Sequence, residues 1–123
     1  MERRCRTAKG EYLARVVGYM KEHLQENLTL TQIAREAGLS ESYLNAIFKE
    51  YIKCAPMDYY INMKMMQACH LLCSTDLRIY QVAQLLGYDN QYYFSRAFKK
   101  VLGMPPKAYK ERPIGYDAQA APA

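Results

Sequence analysis

Between Gln91 and Lys100, five polar side chains fall on one helical face: Gln91, Tyr92, Ser95, Arg96 and Lys99. They supply an amide, a phenol, a hydroxyl, a guanidinium and an ammonium, and no carboxylate. Amide and guanidinium forks match the edges of adenine and guanine in a major groove, while lysine and hydroxyls suit phosphate. The opposite stripe, Phe94, Ala97, Phe98 and Val101, repeats at i, i+3, i+4, i+7, the spacing of a core-facing helix side. An ordinary solvated helix shows such a polar face too. A second occurrence of the same unit tips the balance.

That second occurrence lies earlier in the chain. LTLTQIAREAGLSESYLNAIFKEYIKCAPMDYY from Leu28 aligns with LRIYQVAQLLGYDNQYYFSRAFKKVLGMPPKAYK from Leu77. Leu28/Leu77, Gln32/Gln81, Ala34/Ala83 and Gly38/Gly87 match at an offset of 49. One extra residue in the second turn moves the offset to 50, pairing Leu44/Phe94, Phe48/Phe98, Lys49/Lys99, Pro56/Pro106 and Tyr59/Tyr109. Two copies are too few for a solenoid, so the pattern is a tandem duplication of one small helical unit. Within each copy a short apolar-periodic segment meets a glycine, and a second periodic segment follows. Glycine permits positive φ, so the chain can reverse within about three or four residues. Ser40, or Asp89 in the second copy, then offers an oxygen to cap the next helix. This is the grammar of a helix-turn-helix.

The elements that must position these faces follow in order. At 123 residues the chain is one domain or two very small ones. Residues 1–10 are expected to be a disordered basic lead or linker, and 11–55 the first helix-turn-helix subdomain. Its opening helix runs from Glu11 to Asn27 on Leu13, Val16, Val17, Met20 and Leu24. Thr29 and Gln32 form a capping box, with Leu28 and Ile33 as the hydrophobic staple. Pro56 starts a linker helix over 56–74 that contains no further Gly or Pro. At 1.5 Å per residue it spans roughly 28 Å, near the roughly 34 Å between successive major-groove faces on one side of B-DNA. Residues 75–112 form the second helix-turn-helix subdomain, ending on a short helix after Pro105-Pro106. A disordered Pro/Ala-rich tail is expected over 113–123. The fold class is therefore all-α, two helix-turn-helix subdomains joined by a long linker helix.

Charge and composition narrow the function. Net charge is +5, and residues 90–112 hold six basic residues against Glu111 alone, which favours a polyanionic partner. No paired carboxylates, phosphate-cradling Gly-rich loop or nucleophile elbow is present, and His23 and His70 have no obvious partner. The expectation is that the chain is not an enzyme and holds no cofactor. Cys5, Cys54, Cys69 and Cys73 do not form a disulfide framework. Cys69, His70 and Cys73 lack a fourth ligand, so packing as small hydrophobes is expected rather than a metal site. Met57, Met63, Met65 and Met66 are expected to pack both subdomains against the linker. No signal peptide and no apolar run of about eighteen residues is visible, which leaves no membrane role and a cytoplasmic expectation.

The segments LTLTQIAREAGLS, LNAIFKE and QACHLLCSTDLRIYQVAQLLGYDNQYYFSRAFKKVLGMPPKAYK closely resemble the DNA-binding domain of the AraC/XylS family of bacterial transcription regulators. The resemblance covers roughly residues 11–112 and implies about seven helices. It also implies recognition helices in adjacent major grooves of double-stranded promoter DNA, nucleoid localisation, and activation through contact with RNA polymerase. A separate sensing or dimerisation domain outside this chain is a further implication. Carried over, Gln91, Tyr92, Ser95 and Arg96 read bases in the second half, and Ser42, Asn45 and Ala46 do so in the first. Tyr93, Lys99, Lys100 and Lys49 face phosphate. Three departures stand out: Ala46 where a long polar residue is usual, Lys53 where glycine is usual, and Lys64 in place of arginine. The alternative from another class is a helical protein–protein interaction module without DNA binding, which would more readily present apolar anchors on the second reading face.

Overall fold

The computed structural model describes residues 8–111. Seven α-helices and no strand occur among them: α1 (Ala8–Glu22), α2 (Leu30–Ala37), α3 (Glu41–Tyr51), α4 (Pro56–Ser74), α5 (Ile79–Leu85), α6 (Gln91–Leu102) and α7 (Pro106–Lys110). They form two compact units that divide between Tyr60 and Ile61, within α4. The architecture is two helix-turn-helix subdomains joined by a long helix.

In the first unit α1 buries Leu13, Val16 and Met20, spaced three and four apart. Against these lie Ile33, Ala34 and Ala37 of α2 and Leu44, Ile47 and Phe48 of α3. Thr29 caps α2 by a reciprocal pair: its hydroxyl accepts from the Gln32 N–H at 3.1 Å, and Gln32 Oε1 accepts from the Thr29 N–H at 2.8 Å. Leu28 and Ile33, the residues expected to staple this end, are both buried. Lys9 reaches Glu50 at 3.2 Å, and that hydrogen bond raises the Lys9 pKa.

α1 departs from expectation at both ends. It starts at Ala8 rather than Glu11, so Ala8 to Gly10 are helical rather than part of a lead. It stops at Glu22, although Leu24 continues the apolar period. The reason is non-local. Buried Tyr60 donates its single hydroxyl proton to the His23 and Glu26 carbonyls, each 2.6 Å away, and so stabilises the turned main chain there. Residues 1–7 and the tail expected from 113 lie outside the described residues.

The second unit is built around rings. Tyr88 meets Phe94 edge-on at 5.5 Å, Phe94 meets Phe98 at 5.8 Å, and Phe98 meets Tyr109 at 5.5 Å. Burial raises the Tyr88 pKa. α4 contributes Met65, Ala68 and Leu72, all buried. Core packing therefore describes Met65, whereas Met66 is half exposed. Cys73 is exposed and Cys69 intermediate, so the packing expected of this pair fails for Cys73, which faces outward one turn on.

Lys64 is 2% exposed, the one buried charged residue of the described chain. Its ammonium donates to the Leu86 carbonyl at the end of α5 and stands 5.6 Å from the centre of the Tyr88 ring. A cation is favoured there by the negative end of the helix dipole. Replacing Lys64 with methionine keeps the stem and deletes this donor. The expected cost is about 1–3 kcal/mol, read as a lower midpoint in thermal unfolding. An unchanged midpoint would show that the Leu86 carbonyl is satisfied without the ammonium.

Lys53 ends α3 at φ 74, among the described residues the only non-glycine at positive φ. Its counterpart Gly103 has φ 83. The lysine thus keeps the left-handed backbone that glycine adopts in the second copy, although its N–H bonds five residues back to Phe48 where that of Gly103 bonds four back to Lys99. Left-handed backbone costs a residue with a Cβ about 1–2 kcal/mol, partly offset by the greater freedom that glycine loses on folding. Lys53→Gly should therefore raise stability by about 0.5–1 kcal/mol in denaturant titration. A lower midpoint for the glycine variant would refute this account of the turn.

Candidate nucleic-acid interface

Both helix-turn-helix units reverse by the same main-chain device. At the end of α2 the Leu39 N–H bonds to the Ala34 carbonyl at 2.9 Å, and the Gly38 N–H to Arg35 at 3.1 Å. At the end of α5 Tyr88 bonds to Ala83 at 2.9 Å and Gly87 to Gln84 at 3.0 Å. Gly38 and Gly87 have φ of 72 and 85, so each closes the paired Schellman arrangement that left-handed glycine permits.

The helix after each turn is capped differently. Ser40 Oγ accepts from the Tyr43 N–H at 3.1 Å at the start of α3. At the start of α6 the acceptor is Asn90 Oδ1, 2.7 Å from the Tyr92 N–H. Asp89 does not cap, contrary to expectation, because the extra turn residue moves the cap position one place along. α5 differs too: Arg78 has no side-chain acceptor, so only the return bond from its N–H to Gln81 Oε1 is made, at 2.8 Å.

On α6, Phe94 and Phe98 are buried, and Gln91, Tyr92, Tyr93, Arg96, Lys99 and Lys100 are exposed. Ser95 is half-buried. Tyr92, Arg96, Lys99 and Lys100 line an open concavity of about 500 Å³. No acidic residue occurs anywhere along α6. On α3, Leu44, Ile47 and Phe48 are buried; Ser42, Ala46 and Lys49 are exposed, and Asn45 is half-buried. Ser42, Asn45, Ala46 and Lys49 thus share one stripe at i, i+3, i+4, i+7. The structure brings the α6 set together in the second unit and the α3 set together in the first.

Two contacts at these faces escape sequence reasoning. Thr31 Oγ1 donates to Glu41 Oε2 at 2.6 Å, tying the first turn of α2 to that of α3. On α6 the Arg96 guanidinium sits over the Tyr92 ring, 5.7 Å from its centre. The i, i+4 spacing of Tyr92 and Arg96 was the available signal for the second. The first had none, because the partners are ten residues apart across a turn. Among the described residues no cluster of three or more metal-ligating side chains occurs, and no helix is long and apolar enough to cross a membrane.

Residues 33–112 match the helix-turn-helix domain family. The chain belongs to the AraC-type helix-turn-helix family. It is 39% identical over 94 residues to the MmsAB operon regulatory protein of Pseudomonas aeruginosa, covering 76% of this chain and 31% of that protein. The C-terminal domain of AraT, a response regulator from Geobacillus stearothermophilus, superposes with a TM-score of 0.80 at 30% identity, covering 91% of this chain and 96% of that one. The DNA-binding domain of AdpA, a global transcriptional factor solved with a target DNA, has a TM-score of 0.75 at 30% identity, covering 80% and 88%. This chain spans about a third of the length of the curated relatives it matches.

Within this AraC-type domain, Asn90 is the residue that starts the second polar helix. Asn90→Ala should cost about 1 kcal/mol of stability, typical of a lost N-cap, whereas Asp89→Ala should change the unfolding midpoint little. Equal losses from the two substitutions would return the capping role to Asp89.

Proposed function

We propose that this chain is the DNA-reading module of a bacterial transcription regulator, inserting α3 and α6 into adjacent major grooves of a promoter site. The observation that carries this is the outer face of α6. It is rich in donors, free of carboxylates, and set behind a glycine turn and an asparagine cap. Gln91, Tyr92, Ser95 and Arg96 face base edges in one half-site, with Tyr93, Lys99 and Lys100 toward phosphate. Ser42, Asn45 and Ala46 face the other half-site, with Lys49 toward phosphate. Ala46 carries no donor, so the two halves are read unequally. Activation through RNA polymerase, coupling to a separate sensing or dimerisation domain outside this chain, nucleoid localisation and the absence of enzymatic activity belong to the same reading.

The interaction-module alternative draws on Tyr92 and Tyr93, exposed at 61% and 60%. Two apolar rings on an open face are what a partner protein would engage. Their neighbours Arg96, Lys99 and Lys100 favour a polyanion instead.

Selection of bound duplexes from a random pool, followed by salt titration, tests the reading. Several phosphate contacts should make log K fall with log salt at about −0.9 per contact. Arg96→Ala should flatten base preference in one half-site by about 1–3 kcal/mol, whereas Lys99→Ala should weaken all sequences alike and reduce the salt slope by about one. A flat salt response would favour the interaction module. Uniform weakening by Arg96→Ala would make Arg96 a phosphate contact.

A further inference from the structure

Arg96 carries the two-pronged donor fork on α6 best suited to a base edge, and its surroundings say what it is prepared to read. A free arginine side chain samples many rotamers and must be ordered when it binds. Here the guanidinium lies over the Tyr92 ring one turn earlier, 5.7 Å from its centre. Among the described residues no carboxylate pairs with it. Tyr92 is itself restrained. Its ring meets Tyr93 edge-on at 5.5 Å, and its main-chain N–H is held by the Asn90 cap at 2.7 Å. Cap, ring and guanidinium therefore form one ordered series that begins at the first turn of the helix, the part that approaches base edges in a helix-turn-helix.

Resting on the DNA reading above, we propose that Tyr92 is a specificity-determining positioning residue. Its ring holds Arg96 extended toward a guanine and offers its own exposed apolar edge to the 5-methyl group of a thymine at the neighbouring step. The chemistry is complementary. Guanine presents two acceptors, O6 and N7, to the guanidinium fork, and thymine presents the only methyl group in the major groove. An aromatic face next to a cation supplies both functions at once: cation–π attraction toward the arginine and van der Waals contact toward the methyl. The second half-site should therefore be centred on adjoining thymine and guanine. The first has no equivalent pair, because Ala46 and Ser42 stand where Arg96 and Tyr92 stand in α6.

The test uses the full chain and the duplex pool of the preceding selection, repeated with Tyr92→Phe and Tyr92→Ala. Wild type and Tyr92→Phe should enrich the same thymine–guanine pair in one half-site, since phenylalanine keeps the ring. Tyr92→Ala should lose the thymine preference and reduce the guanine preference roughly three- to tenfold, with the other half-site and the salt slope unchanged. On the enriched duplex, deoxyuridine in place of that thymine should weaken wild type but not Tyr92→Ala. If Tyr92→Phe behaves as Tyr92→Ala, the hydroxyl is the working group and the inference falls. It also falls if Tyr92→Ala keeps both preferences, or if deoxyuridine is bound as well as thymine. A wild-type chain that enriches no sequence at all overturns the DNA reading beneath it. Selection of a different base pair by an otherwise specific wild type overturns this inference alone.

Discussion

Each of the polar-faced helices α3 and α6 is aimed by the few residues in which the helix before it ends. The Ala34 and Arg35 carbonyls, like those of Ala83 and Gln84, have no partner within their own helices and must find one outside. They find it in the two N–H groups just past the turn. That closure requires a left-handed residue at position 38 or 87, and the direction of the next helix follows from it. The polar faces of α3 and α6 hold their places because the backbone behind them is determined to this degree.

The two units meet this constraint with different reinforcements. The first depends on a phenol from α4 that gathers the carbonyls after α1, and on a threonine–glutamate bond across the turn. The second replaces these with a line of rings and a buried ammonium against the end of α5. An ammonium in a core would normally be a liability. Its stem fills apolar space, while its head meets a helix terminus and a ring face, both partially negative. The duplicated unit has thus diverged most in how it is fastened and least in how it turns.

Much of the fold was legible because its determinants are local. Gly38 and Gly87, the Thr29–Gln32 box and Pro56 each act on residues within one turn of themselves, and they mark element ends at their own positions. What was not legible depends on distant partners. Leu24 continues the α1 period, yet the helix ends before it, since Tyr60 arrives from far along the chain. Lys64 reads as a surface lysine until the Leu86 carbonyl is placed beside it. Asp89 and Asn90 are equally good caps by type, and only the true start of α6 separates them. At the candidate site, the 3.6-residue period suffices to expose Gln91, Tyr92, Arg96 and Lys99. It does not anticipate that Ser95 and Asn45 sink halfway into the surface, or that Arg96 rests on a ring.

Three fastenings between distant residues share one property. Tyr60, Lys64 and Lys110 each donate to a main-chain carbonyl, at His23 and Glu26, at Leu86 and at Leu77 respectively. A carbonyl is present whatever side chain its residue bears. The accepting positions are therefore free to drift under other pressures, while the donors are bound to keep their own chemistry. In a lineage of such sequences, change would be one-sided across these contacts and would leave little trace of paired substitution. Methods that infer proximity from correlated residue change would pass over these three.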